Sequence, residues 1–258
     1  MDVAVVIAIH NRNDLRLKNC LRSLLLQNTQ HDYQIYVIDY GSNDNLVQML
    51  GGLNSNRIEY LYVNRTPFNR SRGNNIAIRN TEVPLLCFTD GYCIFRSTFI
   101  NTVIEKYFSS AVMTYASLPH YIPEVYLTDP NVDIVANMEY YISQGWDWLE
   151  ERGVGRGPRK EHTFAADRDL LLQIQGYNEE LLHDDEDTDM IRRLLGAGGI
   201  PTDISQDTLL GYQVFKRDPE SKIEQGRLQY QDVALSEQLN AFRRNSPERN
   251  TNREWGQI

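Results

Sequence analysis

The densest chemistry in the chain lies between His183 and Asp189, where Asp184, Asp185, Glu186, Asp187 and Asp189 place five acids within six positions. Carboxylates that close repel one another unless a cation, a basic partner or a helix N-terminus offsets the charge. The following Met190-Ile191-Arg192-Arg193-Leu194-Leu195 reads as a helix. Capping therefore explains one or two of the acids and leaves the others unexplained. By residue type alone the cluster fits a metal loop, a catalytic base or a solvated cap, and it lacks the Asp-x-Asp-x-Asp-Gly run of an EF-hand. Two further acids, Asp39 and Asp90, end or follow apolar runs. A glycine-rich basic loop carries Arg156, Arg159 and Lys160. It is either a solvated loop or one able to close over an anion. Tyr140, Tyr141, Trp146 and Trp148 offer aromatic faces that suit core packing or stacking on a sugar ring.

The elements that must position these residues can be read from periodicity. Residues 3–9 are apolar at nearly every position, as in a parallel strand covered on both faces. A polar, helix-capping segment at 11–14 follows, then Leu15, Leu17, Cys20, Leu21, Leu24 and Leu25 at helical spacing. Residues 33–39 give a second strand, 46–50 a short helix, 58–63 a third strand, 72–80 a helix and 85–88 a fourth strand. Strand alternating with helix is the grammar of an open, mainly parallel α/β sheet, which binds ligands outside the carboxyl ends of its strands. His10 and Asn11, Asp39, Asn64 and Arg65, and Asp90 all stand at such ends. Further on, the pattern predicts a helix at 97–107, strands at 112–117 and 125–127, and helices at 164–172 and after Asp187. A closing amphipathic helix at 223–242 and a polar tail containing Trp255 complete the chain.

Composition narrows the class. With 258 residues, 41% of them hydrophobic and 24% charged, the chain has globular proportions. A net charge of −9 and a pI near 5.1 argue against a nucleic-acid partner, which needs concentrated positive charge. Cys20, Cys87 and Cys93 are too few and too scattered for a disulfide framework or a zinc site, and they fit a reducing compartment. No run approaches the roughly 20 apolar residues that span a bilayer. A cytoplasmic protein is expected, with peripheral contact at the inner membrane face if its substrate is lipid-linked. The loop His10-Asn11-Arg12-Asn13-Asp14 has no glycine, unlike the phosphate loops of dehydrogenases and nucleotidyltransferases.

Five blocks occur in one order: Val6-Ile7-Ala8-Ile9-His10-Asn11-Arg12, Val37-Ile38-Asp39-Tyr40-Gly41-Ser42-Asn43-Asp44, Arg72-Gly73-Asn74-Asn75-Ile76-Ala77-Ile78, Phe88-Thr89-Asp90-Gly91, and Gly176-Tyr177-Asn178-Glu179-Glu180 leading to Glu186-Asp187-Thr188-Asp189. In this order the chain resembles the inverting family 2 glycosyltransferases of the GT-A fold. The resemblance implies a nucleotide-binding half over residues 1–95, an acceptor and catalytic half over 96–218, and an appended helix and tail over 219–258. It implies His10, Asn11, Arg12, Asp39, Ser42, Arg72, Asn75, Asp90 and Gly91 around the nucleotide, with Asp39 accepting a hydrogen bond from a uracil ring. It implies Asp187 as the base that deprotonates an acceptor hydroxyl, with Glu186 beside it. Asp189 either contacts the acceptor or caps and pairs with Arg192 or Arg193. The implied partners are a UDP-sugar and a glycan or lipid-linked acceptor, with Trp146 or Trp148 at the acceptor, in polysaccharide biosynthesis.

One departure matters. The second acid of the family's Asp-x-Asp element falls at Tyr92. Either Asp90 holds a divalent metal (Mn2+ or Mg2+) with His162 or His183, or Arg156, Arg159 and Lys160 neutralise the diphosphate, or the chain is an inactive nucleotide- or glycan-binding relative.

Overall fold

The apolar run Val3–Ile9 forms β1, buried on both faces, an interior strand of a seven-stranded sheet. The computed structural model describes residues 1–43, 46–65, 67–109, 113–116, 120–122, 129, 131–143, 163–181, 186–204, 210–213 and 254–257. Around β1 stand β2 (Tyr33–Tyr40), β3 (Ile58–Val63), β4 (Leu85–Thr89), β6 (Met113–Ala116), β8 (Thr163–Asp167) and β9 (Pro201–Asp203). Their order is β3-β2-β1-β4-β8-β6-β9. The first four are mutually parallel, β8 runs antiparallel to both β4 and β6, and β9 is parallel to β6. A three-stranded sheet joins β5 (Cys93–Phe95), β10 (Leu210–Gln213) and β7 (His120–Ile122).

Helices cover both faces, as the alternating residues of β1 require. Val3, Val5, Ile7 and Ile9 face a core built with Leu17, Cys20, Leu21 and Leu24 of α1 (Leu15–Leu25), Leu46 of α2 (Leu46–Leu53) and Phe99, Val103 and Ile104 of α4 (Phe99–Ser109). Ala4 and Val6 face the other core. That one contains Ile76 and Ile78 of α3 (Arg70–Asn80), Leu171 of α6 (Arg168–Gln173), and Met190 and Leu194 of α7 (Glu186–Gly196). The ten-residue α5 spans Ile134–Ser143, and Arg22 of α1 reaches Asp133 before it at 2.7 Å. The helices start where capping chemistry allows. Asp14 accepts from the backbone N–H of Arg16 and Leu17, and Asn69 accepts from that of Arg72. Among the described residues no helix is long and apolar enough to cross a membrane.

Two sequence expectations are corrected. The helix expected at 164–172 is a strand followed by a helix. Thr163 to Ala166 are buried and paired between β4 and β6, and Asp167 then caps α6 by accepting from the N–H of Leu170. The helix expected from Arg72 begins at Arg70, because the cap is Asn69. The strand expected at 125–127 and the closing helix at 223–242 lie outside the described residues. Of the tail expected to be polar, the described turn at 254–257 buries Trp255 in the core that contains α3.

Candidate active site

Two polar clusters occupy the carboxyl edge of the parallel strands. The first joins the ends of β1 and β2. His10 Nδ1 lies 2.8 Å from the Tyr40 carbonyl, and the imidazole stacks on Phe68 with centroids 5.7 Å apart. Asn11 adopts a left-handed φ of 49°, a conformation that asparagine tolerates better than most residues. From there its N–H donates to Ser42 Oγ (2.7 Å) and its Oδ1 accepts from the N–H of Asn43 (2.8 Å). Asp39 beneath them is fully buried. Its Oδ1 accepts from the N–H of Ser42 (3.1 Å) and its Oδ2 from the Tyr60 hydroxyl (2.7 Å). A carboxylate offers about four lone-pair positions, so these two donors leave acceptor capacity.

The second cluster is ionic and centres on Arg70, the first residue of α3. A cation at a helix N-terminus is electrostatically disfavoured, so Arg70 needs acids around it. Its guanidinium lies 2.8 Å from Asp90 Oδ1, 3.2 Å from Asp187 Oδ2 and 3.4 Å from Glu186 Oε1. Burial pulls the Arg70 pKa down, but the charges of Asp187, Asp90 and Glu186 outweigh it and hold it well above the usual arginine value. The Tyr177 hydroxyl sits 3.5 Å from Asp187 Oδ1. Burial and then the Asp187 charge raise its pKa, so the phenol keeps its proton. Glu186 Oε2 is buried with no hydrogen-bond partner among the described residues. Asp187 itself remains partly accessible at the first turn of α7.

A clamp ties α3 to the loop before this acid group. Asn75, fully buried, accepts from the N–H of Tyr177 (2.7 Å) and donates to the Tyr177 carbonyl (2.9 Å) and to Glu179 Oε1 (2.9 Å). Gly176 turns the loop with φ +65°, and a Cβ there would stand 2.8 Å from Trp255. The turn at 254–257 closes the arrangement. The N–H of Gly256 donates to Glu179 Oε1 (2.7 Å), Arg72 donates to the Gln257 carbonyl (3.1 Å), and Arg79 stacks on the Trp255 ring.

The remaining sequence candidates divide clearly. Arg72 pairs with Glu179 at 3.3 Å and lines an open cleft of about 600 Å³ with Tyr40, Asn64, Arg65, Pro67, Asn69 and Glu179. Gly91 is buried, close to Ile7, Ile9 and Leu17. Asp189 is 5% exposed and engages Arg193 at 2.9 Å; of the two roles open in the sequence, pairing is the one seen. Trp146, Trp148, Arg156, Arg159, Lys160, His162 and His183 lie outside the described residues. Sequence reading missed Arg70, Tyr177, Glu179 and Tyr60. For Arg70 a signal existed, since a cation in a first helical turn needs an acidic partner.

The described residues do not fit a divalent metal. The Asp90 carboxylate is engaged by Arg70, and Tyr92 stands where a second acid would be needed. The charge of Asp90 and then burial raise the Tyr92 pKa, so that side chain is a neutral phenol. Among the described residues no group of three or more His, Cys, Asp or Glu side chains is placed to hold an ion. The cysteines are free and buried, and burial pushes the Cys87 thiol up to about 12, which removes it as a nucleophile.

Comparison with known proteins bears on the family and the fold. The model of the glycosyl transferase family 2 matches residues 4–163. Among solved structures, Staphylococcus aureus TarS 1-349 in complex with UDP-GlcNAc is similar at 13% identity with a TM-score of 0.60, covering 86% of this chain and 61% of that one. The same protein in complex with UDP gives 14% identity and a TM-score of 0.57, covering 83% and 61%. This chain thus spans 61% of the length of these TarS chains, and the likeness shows the GT-A fold. No curated protein matches the sequence.

Proposed function

The chain belongs to glycosyl transferase family 2, and from that premise we propose that it is an inverting transferase moving a sugar from a uridine nucleotide to a hydroxyl of a glycan or lipid-linked acceptor. One observation carries the reading. A single guanidinium, Arg70, joins the acid at the end of β4 to the acid at the start of α7. The donor side and the general base are thereby fixed relative to each other at the edge where such sheets bind ligands.

Asp187 is the base. It removes the acceptor proton as the hydroxyl oxygen attacks the anomeric carbon from the face opposite the leaving nucleoside diphosphate. The Tyr177 hydroxyl keeps the carboxylate oriented, and Glu186 stands beside it on the same guanidinium. The nucleoside lies over His10, Asn11 and Ser42; Asp39, buried beneath them, becomes the acceptor for the base N–H when the Ser42 turn shifts to uncover it. The fit of a carboxylate to the uracil N3 donor, and the UDP and UDP-GlcNAc bound by TarS, support uridine. Asn75 acts as a positioning residue, since its amide is engaged by the Tyr177 loop. Trp146, Trp148 and the basic residues Arg156, Arg159 and Lys160 are proposed at the acceptor and at the leaving diphosphate. We place the reaction in a reducing compartment, at the cytoplasmic membrane face if the acceptor is lipid-linked, within polysaccharide assembly. The domain division at 95 and 218 is retained as part of this proposal.

Calorimetric titration with UDP, followed by release of UDP from a panel of UDP-sugars with glycan acceptors, tests the reading. Binding with acceptor-dependent release is expected. UDP binding without release from any sugar would favour the non-catalytic relative that Tyr92 suggests, and absence of UDP binding would overturn the donor.

A further inference from the structure

We propose that Arg70 is the resident cation of the donor site, and that the chain binds its nucleotide diphosphate without a divalent metal. The inference rests on the nucleotide-sugar reading above and adds to it the means by which charge is managed.

A metal bridging Asp90, Glu186 and Asp187 would need the carboxylate oxygens that converge between them. Those oxygens converge on the guanidinium instead, at 2.8, 3.4 and 3.2 Å. The arginine is anchored. Its helix starts at Asn69, whose amide donates to the Glu179 carbonyl at 2.7 Å, so the first turn is tied to the loop that leads to Asp187. A guanidinium also suits three acids better than an ammonium, because its planar fork presents several donors in fixed directions.

The neighbourhood of Tyr92 points the same way. Arg12 and Arg16 lie over its ring with centroid distances of 5.2 and 5.7 Å. Arg16 is paired with Asp14, whereas Arg12 has no carboxylate partner among the described residues. One guanidinium does not balance three carboxylates. The diphosphate is therefore assigned to Arg12, whose fork matches phosphate oxygens, while Arg70 keeps the carboxylates from repelling one another and the donor. Where the family's second acid would recruit a metal, this chain has a neutral ring with cations on it.

The test is UDP titration by calorimetry in EDTA and in Mn2+, on the full chain and on Arg70→Met and Arg70→Lys, with circular dichroism to confirm folding. The unsubstituted protein is expected to bind UDP with the same affinity, within about twofold, in both conditions. Arg70→Met frees three carboxylates. Its affinity is expected to fall at least about tenfold in EDTA and to recover in part with Mn2+, whereas Arg70→Lys, which keeps the charge without the planar fork, falls less and gains little from Mn2+. A merely structural arginine would not create metal dependence on removal. Binding by the unsubstituted protein that needs Mn2+ would overturn the inference and leave the nucleotide reading intact. Equal binding by Arg70→Met in EDTA would also overturn it. Failure to bind UDP under either condition would remove the nucleotide reading, and the inference with it. Should Arg70→Met not fold, the EDTA and Mn2+ titrations of the unsubstituted protein decide the matter.

Discussion

Asp39 and Asp187 are the same side chain at the same edge of one sheet, and they are held by opposite means. Asp39 is sealed from solvent and held by uncharged donors, the Tyr60 phenol and a backbone N–H. Asp187 is partly accessible and held by a charge, the Arg70 guanidinium it shares with Asp90 and Glu186. Neutral donors fix a carboxylate as a permanent acceptor, which suits recognition of a planar base. A shared cation holds a carboxylate at a partly open edge, where an acceptor hydroxyl can reach it. The difference separates binding from chemistry, and substitutions can test that separation.

The largest effect is expected at Asp187. Asp187→Asn keeps the shape and removes the base, so kcat for transfer should fall by about 10²–10⁴, the usual worth of a general base. The calorimetric affinity for UDP should change little. Loss of both together would show that the two clusters are not separable. Next in size is Asn75→Ala, which strips both backbone partners from Tyr177 and one from Glu179. Each buried group left without a partner costs about 1–3 kcal/mol. A drop in melting temperature of several degrees is expected, with kcat reduced more than UDP affinity, because the clamp serves the ionic cluster.

That clamp also marks where the sequence stops being legible. The strands β1 and β4 could be read because doubly covered parallel strands are continuous apolar runs, β2 and β3 because β-branched and aromatic residues are bounded by turn residues, and α1 because it is strictly periodic. The strand β8 could not be separated from α6. Thr163-Phe164-Ala165-Ala166 runs straight into Asp167-Arg168-Asp169-Leu170-Leu171, and only its partners on either side make it a strand. In the candidate site, the order of five blocks pointed to Asp90 and Asp187, while Arg70, which joins them, stands outside those blocks. Arg70 and Arg72 differ by two positions, about 200° around a helix, so one turns to the acids and the other to Glu179. The contact of Trp255 with α3 spans 176 residues between Arg79 and the tail, a separation that no local pattern encodes.

Asp39→Ala sharpens the comparison from the other side. It removes the buried acceptor, and with it the hydrogen bonds from the Tyr60 hydroxyl and the Ser42 N–H. UDP affinity should fall by about tenfold or more, with kcat at saturating donor nearly unchanged. A variant with normal UDP affinity would take Asp39 out of recognition and make it a structural acid.

Tyr60→Phe should give the smallest effect, and it isolates what neutral donors contribute. The ring still fills its place beside the core on the α1 side of the sheet, so packing is preserved. The 2.7 Å hydrogen bond to Asp39 Oδ2 is lost. A bond to a charged acceptor contributes about 1.5–3 kcal/mol, and the residual acceptor capacity of Asp39 offsets part of that. UDP binding should therefore weaken by a few fold while the response to Mn2+ stays flat. If this phenol were one link in the ionic network, its removal would alter metal dependence as Arg70→Met is expected to do. A flat response in Tyr60→Phe beside a changed one in Arg70→Met would show that the two clusters share an edge of the sheet and divide its work.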